Sequence, residues 1–431
     1  MLNFRNTAFK VLDSVKGNPV KNGISNISSG AADYKSSKES RERQLEVLCH
    51  WARNNVPYYT ALQPTSYNEF PVINKNVMKE HLDDFIDKSL AKEGLYKMVT
   101  SGSTGTPFTS YQNKSKKVRN TADTVFFASL ANFTLGNKLF YFKIWNDINQ
   151  KSSLSKFIEN IVPVDVTDQS EEALLKFATD LNNNKYGNGI AFLGYASYFE
   201  ALIKVIDKHS PDAKITCVKS AITMSEALDP TAKEKFKKYF GIDIYSRYSN
   251  MENGIIAQQV KESGTNFMVN WSSYHIEIYD FDKDEPVANG EKGRIILTDL
   301  YNMAMPFIKY DTGDIGVMEW NDALQQPVLS KVEGRKMDLI YNVDGELVSS
   351  FIITNNMWYF TEIMQYQFIQ FTETEYKFIL NVGGDFKREK ELVDLFSNIL
   401  GTTAKIDVEY VTEIPLLNSG KRKKVMSHLK K

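Results

Sequence analysis

The chain has 431 residues, of which 42% are hydrophobic and 24% charged, so it can build a large buried core. Its 52 lysines and arginines nearly balance its 53 acidic residues, which gives no indication of a nucleic-acid or anionic membrane partner. Two cysteines and five scattered histidines exclude a zinc cluster of the usual spacing. Without a signal-peptide pattern or an apolar run of about 20 residues, we expect a cytoplasmic protein.

Two longer helices, a connector with short helices at 60–90 and one strand are predicted in the first 135 residues. Leu45, Leu48 and Trp51 recur at helical spacing, and the segment at Pro57 ends that helix. Residues 96–99 have the composition of a strand and lead into a loop rich in serine, threonine and glycine. The helix that follows this loop has one apolar face, formed by Val118, Ala122, Val125, Phe126, Leu130 and Phe133.

Helix and strand signals alternate between residues 160 and 245, which is typical of an α/β sheet. The predicted elements are a helix at 174–181, a strand at 189–193, a helix at 198–208, a strand at 215–218, a further helix and a strand at 242–245. We expect Asp229 to cap the further helix, with Pro230 at its first position and Gly241 just after its end.

The remaining chain predicts two further units. Residues 265–320 alternate with period two between glycine-containing turns, which indicates a barrel-like or antiparallel β subdomain. After Arg335 the pattern changes to a small α+β unit with a hairpin turn at Asp344-Gly345. We therefore predict an α/β protein with a large N-terminal domain, 1–335, and a small, mobile C-terminal domain, 336–431, with the boundary near 335–338.

The loop Thr100-Ser101-Gly102-Ser103-Thr104-Gly105-Thr106-Pro107 has the residue types that bind phosphate. Its two glycines let the backbone approach an anion closely, and its hydroxyls and backbone N–H groups can donate to phosphate oxygens. It lacks the lysine of a Walker loop. Composition alone favours a plain surface loop, so the loop becomes specific only together with other motifs.

Four further motifs follow the loop in a fixed order. They are Tyr248-Ser249-Asn250-Met251-Glu252, Ile308-Lys309-Tyr310-Asp311-Thr312-Gly313-Asp314, Gly334-Arg335-Lys336-Met337-Asp338 and Ser419-Gly420-Lys421. Glu252 follows a predicted strand, at the edge where open α/β sheets bind ligands. The ordered set resembles the adenylate-forming superfamily of acyl-CoA synthetases, peptide-synthetase adenylation domains and luciferases.

Within the superfamily, the chain is similar to the phenylacetate-CoA ligase branch, especially to CapK-like proteins associated with capsule and polysaccharide biosynthesis. This likeness runs from about residue 40 to the C-terminus. It rests on the segments Asn55-Val56-Pro57-Tyr58-Tyr59, Phe70-Pro71-Val72-Ile73-Asn74-Lys75 and Met305-Pro306-Phe307-Ile308-Lys309-Tyr310. The resemblance implies ATP and Mg²⁺ as cofactors and CoA as a co-substrate.

The resemblance also implies roles for individual residues. Ser101, Gly102, Ser103, Thr104, Gly105 and Thr106 would bind the ATP phosphates, with Thr104 near the metal and Glu252 holding Mg²⁺. Ser225 and Glu226 would precede the nucleotide site, and Ser249, Asn250 and Met251 would border it. Tyr248 would lie against the adenine, Asp314 would accept hydrogen bonds from the ribose, and Arg335 would contact ribose or phosphate at the hinge.

Lys421 matches the mobile catalytic lysine of the family's C-terminal domain. Attack of a carboxylate on the α-phosphate brings two anions together, and an ammonium with Mg²⁺ would stabilise the charge that develops. The nucleophile is already a carboxylate, so no general base is needed. The absence of a Ser/His/Asp or Cys/His constellation is therefore expected.

Three positions depart from the family pattern. Met251 stands where threonine or serine is usual and Ser249 where glycine is frequent, and both departures could weaken a contact to phosphate. Met337 stands where the hinge commonly has aspartate or lysine, which puts a full domain rotation in doubt. Zinc-containing relatives carry cysteines after the Glu252 motif, whereas Gln258-Gln259 follow here, so we expect no zinc.

Two other segments give weaker indications of function. Gly194-Tyr195-Ala196-Ser197 is followed by Tyr198 instead of the glycine of a nucleophile elbow, which argues against a hydrolase. The family's acyl pocket is lined in part by this region, so Tyr195 and Phe199 are candidates to line it. The acidic cluster at 280–285 lacks the glycine and terminal glutamate of a calcium loop and is expected to be a solvated hairpin.

The resemblance predicts an AMP-forming acid–thiol ligase that activates a carboxylic acid as acyl-AMP and transfers the acyl group to CoA or a carrier thiol. A second hypothesis keeps the first step and passes the acyl group to an amine or hydroxyl, for example a sugar amine during polysaccharide assembly. A third is a nucleotide-binding scaffold without catalysis, which Glu252, Asp314 and Lys421 argue against. The acid and the oligomeric state do not follow from the sequence.

Overall fold

The computed structural model describes residues 3–90, 94–100, 108–143, 145, 152–166, 168–335, 340–348, 350–357, 359–415 and 423–429. The helices are α1 (Phe4–Val15), α2 (Pro19–Ala32), α3 (Lys38–Asn55), α4 (Pro57–Leu62), α5 (Lys75–Glu80), α6 (Lys114–Ser129), α7 (Ser153–Glu159), α8 (Glu171–Asn182), α9 (Ala196–His209), α10 (Pro230–Phe240), α11 (Ser350–Met357) and α12 (Glu389–Leu400). Of these described helices, none has the length and apolar composition that a membrane crossing requires.

The strands of the N-terminal part are β1 (Tyr96–Thr100), β2 (Phe108–Gln112), β3 (Leu139–Lys143), β4 (Ile161–Asp165), β5 (Ile190–Tyr195), β6 (Val218–Met224), β7 (Tyr245–Asn250), β8 (Gly254–Gln259), β9 (Phe267–Val269), β10 (Tyr274–Tyr279), β11 (Lys292–Asp299), β12 (Tyr310–Asn321) and β13 (Gln326–Arg335). Those of the C-terminal part are β14 (Ile340–Tyr341), β15 (Leu347–Val348), β16 (Ile363–Gln370), β17 (Glu375–Val382), β18 (Lys405–Tyr410) and β19 (Val425–Ser427).

In the described part of the chain, eleven strands form one mixed sheet in the order β10-β11-β12-β13-β9-β8-β7-β6-β5-β3-β4. Strands β4, β3, β5, β6 and β7 run parallel. From β7 to β8 and on to β10 every pairing is antiparallel. The predicted antiparallel subdomain is therefore confirmed as strands, and these strands continue the α/β sheet. The α/β fold class is confirmed.

The parallel half of the sheet is covered on both faces, as parallel strands require. On one face, aromatic side chains of the strands, such as Phe142 and Phe192, pack with Phe199 of α9 and Phe236 of α10. On the other face, Ala128 of α6 and Ala131 just after it pack against Ile222 and Tyr245. Helix α2 packs in turn on α6. Two helical layers therefore enclose the strands and leave their carboxyl ends as the open edge.

Helix α10 is positioned by the residues that the sequence indicates. The Asp229 carboxylate accepts hydrogen bonds from the backbone N–H groups of Thr231 and Ala232, Pro230 occupies the first turn, and Gly241 adopts the left-handed conformation with φ of 67°. The flanking strands were predicted incorrectly: β6 is Val218–Met224 instead of 215–218, and β7 is Tyr245–Asn250 instead of 242–245. Both strands extend further towards the site than the apolar pattern indicated.

The C-terminal unit has its own apolar core and a four-stranded sheet in the order β18-β17-β16-β19. Helix α12 covers one face, and the hairpin β14–β15 turns at Asp344 and Gly345, as predicted. Residues 336–339, where we predict the domain boundary, lie outside the described residues, so that boundary stays a prediction.

The C-terminal unit contacts α9 through two lysines. The Lys204 ammonium donates to the carbonyl oxygen of Ile363 at 2.7 Å. The Lys424 ammonium, next to β19, forms an ion pair with the Glu200 carboxylate, whose other oxygen accepts from the backbone N–H of Asp229. Because Glu200 is buried, this ion pair is shielded from solvent and fixes the segment that follows Lys421.

Candidate active site

The candidate site lies where the sheet changes direction. Strand β7 is parallel to β6 and antiparallel to β8, and a short connection that contains Glu252 joins β7 to β8. Open α/β sheets bind ligands at the carboxyl ends of their strands, near such a switch. The fold therefore brings Glu252 to the expected edge.

The Glu252 carboxylate is buried, with an exposed fraction of 1%, and is held on one oxygen. The Tyr310 hydroxyl donates to Oε1 at 2.8 Å, and the Lys75 ammonium lies 2.9 Å from the same oxygen. The other oxygen, Oε2, is buried and has no hydrogen-bond partner among the described residues. A buried carboxylate oxygen without a donor is costly, so its retention is typical of a ligand-binding group.

A single β-bridge brings Lys75 and Tyr310 to Glu252. Ile73 pairs with Tyr310, with its N–H donating to the carbonyl of Lys309 and its carbonyl accepting from the N–H of Asp311. Asn74 then caps α5, whose first residue is Lys75. The segments 70–75 and 305–310 resemble the family in sequence, but the resemblance implies no role for the side chains of Lys75 and Tyr310. The distance of 177 positions between Lys75 and Glu252 hides their contact.

Asp314 and Tyr248 form the second contact between the same motifs. The Tyr248 hydroxyl donates to Oδ2 of Asp314 at 2.7 Å. A turn that contains Gly313, with φ of 78°, precedes Asp314, and Thr312 Oγ1 accepts from the Asp314 N–H at 3.2 Å. Burial and the adjacent Asp314 charge raise the pKa of Tyr248 well above its usual value. The phenol therefore stays protonated and can keep donating.

Each of the two motifs thus supplies a tyrosine whose hydroxyl donates to the carboxylate of the other motif. The motif of β7 supplies Tyr248 and Glu252, and that of β12 supplies Asp314 and Tyr310. Burial and the Glu252 charge likewise raise the pKa of Tyr310 well above its usual value. Two carboxylates of neighbouring segments are thereby oriented by neutral phenol donors, and Glu252 has the Lys75 ammonium as a further, charged partner.

One protein family matches the C-terminal part of the chain, and solved structures match most of its length. The family model described as the CapK C-terminal domain matches residues 340–428. A comparison with curated proteins found no match to this sequence.

Solved structures of acid–CoA ligases share the fold. A 2-hydroxyisobutyryl-CoA ligase in the postadenylation state, in complex with R3-HIB-AMP, has a TM-score of 0.69 and 14% identity over 91% of this chain and 90% of its own. The anthranilate CoA ligase AuaEII with anthranoyl-AMP has a TM-score of 0.56 and 14% identity, over 78% and 66% of the two chains. The ATP-bound RpMatB-BxBclM chimera B1 has a TM-score of 0.56 and 12% identity, over 78% and 68%.

Residues 340–428 thus match the CapK C-terminal domain, and the chain has the fold of these acid–CoA ligases. The resemblance recognised in the sequence is thereby confirmed at the level of fold and C-terminal family. Identities of 12–14% extend to the fold and no further.

The metal that this fold family implies can be tested against the surroundings of Glu252. Magnesium commonly takes one or two protein carboxylates and completes its octahedral shell with water and substrate phosphates. Oε2 of Glu252 meets that requirement, because it is buried and lacks a donor. The described residues contain no cluster of three or more acidic, histidine or cysteine ligands, so phosphate oxygens would supply the rest of the shell.

The other predicted residues near the nucleotide have ordinary backbone roles. Ser225 has a left-handed φ of 70° and is exposed directly after β6, and Glu226 accepts the N–H of Ser197 at 2.9 Å. Asn250 Oδ1 accepts from the Asn253 N–H at 2.8 Å, which closes the turn that carries Glu252. Ser249 is half-buried in β7, and Met251 is exposed.

The two acyl-pocket candidates differ in position. Phe199 is fully buried in the apolar core, where it contacts Phe142, Phe192 and Phe236. Tyr195 is the last residue of β5, at the open edge of the sheet, and burial raises the pKa of its phenol to about 12. The position of Tyr195 is therefore the better suited to contact a ligand.

Several predicted site residues, and the hinge residue Met337, lie outside the described residues. They are Ser101, Gly102, Ser103, Thr104, Gly105, Thr106, Met337 and Lys421. The backbone of Arg335 pairs with Asp314 across β12 and β13, and its side chain is likewise outside the description. The roles predicted for these residues stay predictions.

Proposed function

We propose that the chain is an ATP-dependent ligase that activates a carboxylic acid as acyl-AMP with release of pyrophosphate. The observation that carries the proposal is the double tyrosine–carboxylate pairing, Tyr310 with Glu252 and Tyr248 with Asp314, at the switch point of the sheet. It brings together, from distant segments, the two acidic residues to which the resemblance gives the metal and ribose roles. Chance similarity of short motifs does not predict such contacts.

In this proposal Asp314 accepts hydrogen bonds from the ribose hydroxyls. The Tyr248 hydroxyl holds one carboxylate oxygen and thereby sets the orientation of the group. The ring of Tyr248 then lies beside the nucleoside, against the adenine. Recognition of the nucleoside and orientation of the ribose acceptor are in this way properties of one pair of residues.

Glu252 would hold Mg²⁺ through Oε2, while Tyr310 and Lys75 fix Oε1. Bound Mg²⁺ would neutralise phosphate charge and act as a Lewis acid towards the α-phosphate. The Lys75 ammonium places a positive charge beside the carboxylate and the proposed metal position, so Lys75 is a further candidate to contact phosphate oxygens. Its side chain is one-third exposed, with a relative accessibility of 31%, and can therefore reach a ligand.

Lys421 would stabilise the negative charge that develops as the acid oxygen attacks the α-phosphate. The neighbouring Lys424 is held against α9 by Glu200. Lys421 precedes Lys424 by only three residues, so the matched lysine is close in sequence to a point fixed on the large domain. This tether supports a catalytic position for Lys421 at the domain interface.

The acyl acceptor we propose is CoA or a carrier thiol. Support comes from the shared fold with proteins named as CoA ligases and from the chemistry of acyl-AMP, which reacts readily with thiols. Polysaccharide modification is proposed as the setting, and it rests on the resemblance to CapK-like proteins alone.

The test is pyrophosphate–ATP exchange with the purified full chain and a panel of aryl, alkyl, hydroxy, amino and dicarboxylic acids. We expect exchange that requires both Mg²⁺ and one class of acid. Addition of CoA should then convert the acyl-AMP into a thioester seen by mass spectrometry. No acid-dependent exchange would overturn the proposed adenylation, and exchange without thioester would leave adenylation and overturn CoA as acceptor.

A further inference from the structure

Arg247 is a buried cation that the proposed mechanism does not use. It lies in β7 next to Tyr248, and successive strand residues point to opposite faces. Arg247 therefore lies on the face that α6 covers, whereas Tyr248 is directed to Asp314. The exposed fraction of Arg247 is 9%.

One edge of the Arg247 guanidinium is fixed and another is unsatisfied. Its Nε donates to Oε1 of Gln258 at 2.8 Å, and Nε2 of Gln258 donates to the carbonyl of Phe127 in α6 at 2.7 Å. Nη2 is buried and has no hydrogen-bond partner among the described residues. Gln258 is therefore a positioning residue that holds the guanidinium with a donor free for a ligand.

No carboxylate among the described residues pairs with Arg247. Burial lowers the pKa of Arg247 to about 10, and the phenol of Tyr141 opposes this shift. A buried cation without a counter-ion destabilises the fold. A protein retains such a cation for specificity or for a ligand. The missing partner is an anion.

Arg247 lies beside the carboxyl ends of β5 and β6, at the open edge of the sheet. Met224 of β6 is the register partner of Arg247, and Tyr195 of β5 is the partner of Met224. The Tyr141 hydroxyl lies 4.0 Å from the Met224 sulfur on the same face. These residues supply apolar surface and phenols around one guanidinium, which is the usual composition of a small-molecule site.

We infer that Arg247 binds a second anionic group, on the acid substrate, so that the ligase selects acids with a carboxylate or phosphate besides the carboxylate that is activated. This inference rests on the proposed function, because it names the substrate class of the same site. Arginine matches such groups well, since its planar fork forms paired hydrogen bonds with carboxylate and phosphate oxygens. The anion would accept the hydrogen bond that Nη2 of Arg247 donates to no described residue.

The experiment compares matched pairs of acids in pyrophosphate–ATP exchange: butyrate with succinate, propionate with malonate, and glycerate with 3-phosphoglycerate. For the wild-type chain we expect kcat/KM to be at least about 10-fold higher for the member that carries the second anionic group, because that group gains one charge-assisted hydrogen bond. The dicarboxylate and phosphate arms identify which anion is bound.

Arg247→Gln should reduce that ratio by about 10-fold or more and leave the KM for ATP unchanged. Gln258→Glu should act in the same direction, because it supplies an internal counter-ion that competes with the substrate anion. Arg247→Lys should retain part of the preference. Arg43→Gln, at an exposed arginine, is the matched control and should change nothing.

Equal activity with the members that lack and the members that carry the second anionic group would overturn the inference while adenylation stood, and this comparison needs no variant to fold. An unchanged ratio in a folded Arg247→Gln, or a raised KM for ATP instead of for the acid, would also overturn it. Exchange neither with these acids nor with any member of the wider panel would overturn the proposed function and this inference with it.

Discussion

The Tyr310 hydroxyl lies 2.8 Å from Oε1 of the Glu252 carboxylate, although the two residues are 58 positions apart. The contact leaves Oε2 of Glu252 buried and without a donor among the described residues. One oxygen is thus fixed and the other is available to a cation. This relationship is the structural basis for placing Mg²⁺ and the ATP phosphates at the end of β7.

Glu252→Gln should lower acid-dependent pyrophosphate exchange by at least about 100-fold, because an amide is a poor ligand for Mg²⁺ and removes the charge. The amide can still accept from Tyr310, so the thermal unfolding temperature should change little. Glu262→Gln, at an exposed glutamate, is the control and should retain full activity. Normal exchange in a folded Glu252→Gln would remove Glu252 from the metal site.

Asp314→Ala should weaken ATP binding by about 1.5–3 kcal/mol, the usual worth of a hydrogen bond to a charged group. Calorimetric titration of ATP measures the loss directly. Tyr248→Phe should cause a smaller loss, since it frees the carboxylate without removing it. Asp322→Ala, at an exposed aspartate of the same β subdomain, serves as control. An unchanged ATP affinity in Asp314→Ala would show that Asp314 does not bind the ribose.

Lys421→Ala should reduce the rate of acyl-AMP formation by orders of magnitude and change ATP affinity comparatively little, because the lysine acts on charge that develops in the transition state. Supplied with synthetic acyl-AMP, the variant should still transfer the acyl group to CoA. Rapid-quench kinetics separate the two steps. Near-normal adenylation would mean that another group stabilises the charge.

Glu200→Gln should loosen the C-terminal unit from α9, because it leaves the Lys424 ammonium without its charge partner at a buried interface. Removal of one member of such a pair costs about 3 kcal/mol or more. Hydrogen exchange should rise in β16 and β19 and stay unchanged in the core strands of the large sheet. Glu171→Gln, which breaks the exposed pair with Lys208, should have no such effect. Equal exchange in both variants would argue against this contact as a docking point.

Asp229 gives the stability of the fold a predictable dependence on pH. Burial, with the nearby Glu200 charge, raises the pKa of Asp229 to about 6 from 3.8. Between these values the folded chain binds more protons than the unfolded chain, so the contribution of Asp229 to stability falls as pH rises from 4 to 6, by up to about 3 kcal/mol. Denaturant unfolding should show the wild type losing this advantage over Asp229→Asn across that range. A pH-independent difference between the two would contradict the raised pKa.

Local signals in the sequence were sufficient for the elements that depend on local chemistry. Helix α10 was predicted because a cap, a proline and a terminal glycine each satisfy a backbone requirement within one segment. Strands β6 and β7 were predicted too early, because their carboxyl ends carry polar residues such as Thr223 in β6 and Arg247 in β7. Those residues face the site or its supports, and an apolar pattern cannot register them.

The motifs predicted Glu252 and Asp314 as candidates, whereas their partners required three dimensions. Lys75 reaches Glu252 only because Ile73 pairs with Tyr310, a contact that no periodicity encodes. Arg247 likewise reads as an ordinary strand residue until its burial and its contact with Gln258 are known. At both positions the structure adds a buried polar atom without a partner among the described residues, Oε2 of Glu252 and Nη2 of Arg247.

The measurement that tests the central claim most directly follows an oxygen atom from the acid to AMP. The chain is incubated with ATP, Mg²⁺, CoA and an accepted acid labelled with ¹⁸O in its carboxylate. If the acid oxygen attacks the α-phosphate and the thiol then attacks the carbonyl carbon, the released AMP must carry one ¹⁸O. We expect mass spectrometry to find that label in AMP and none in pyrophosphate. Label in inorganic phosphate with release of ADP, or unlabelled AMP beside acyl product, would contradict an acyl-AMP intermediate.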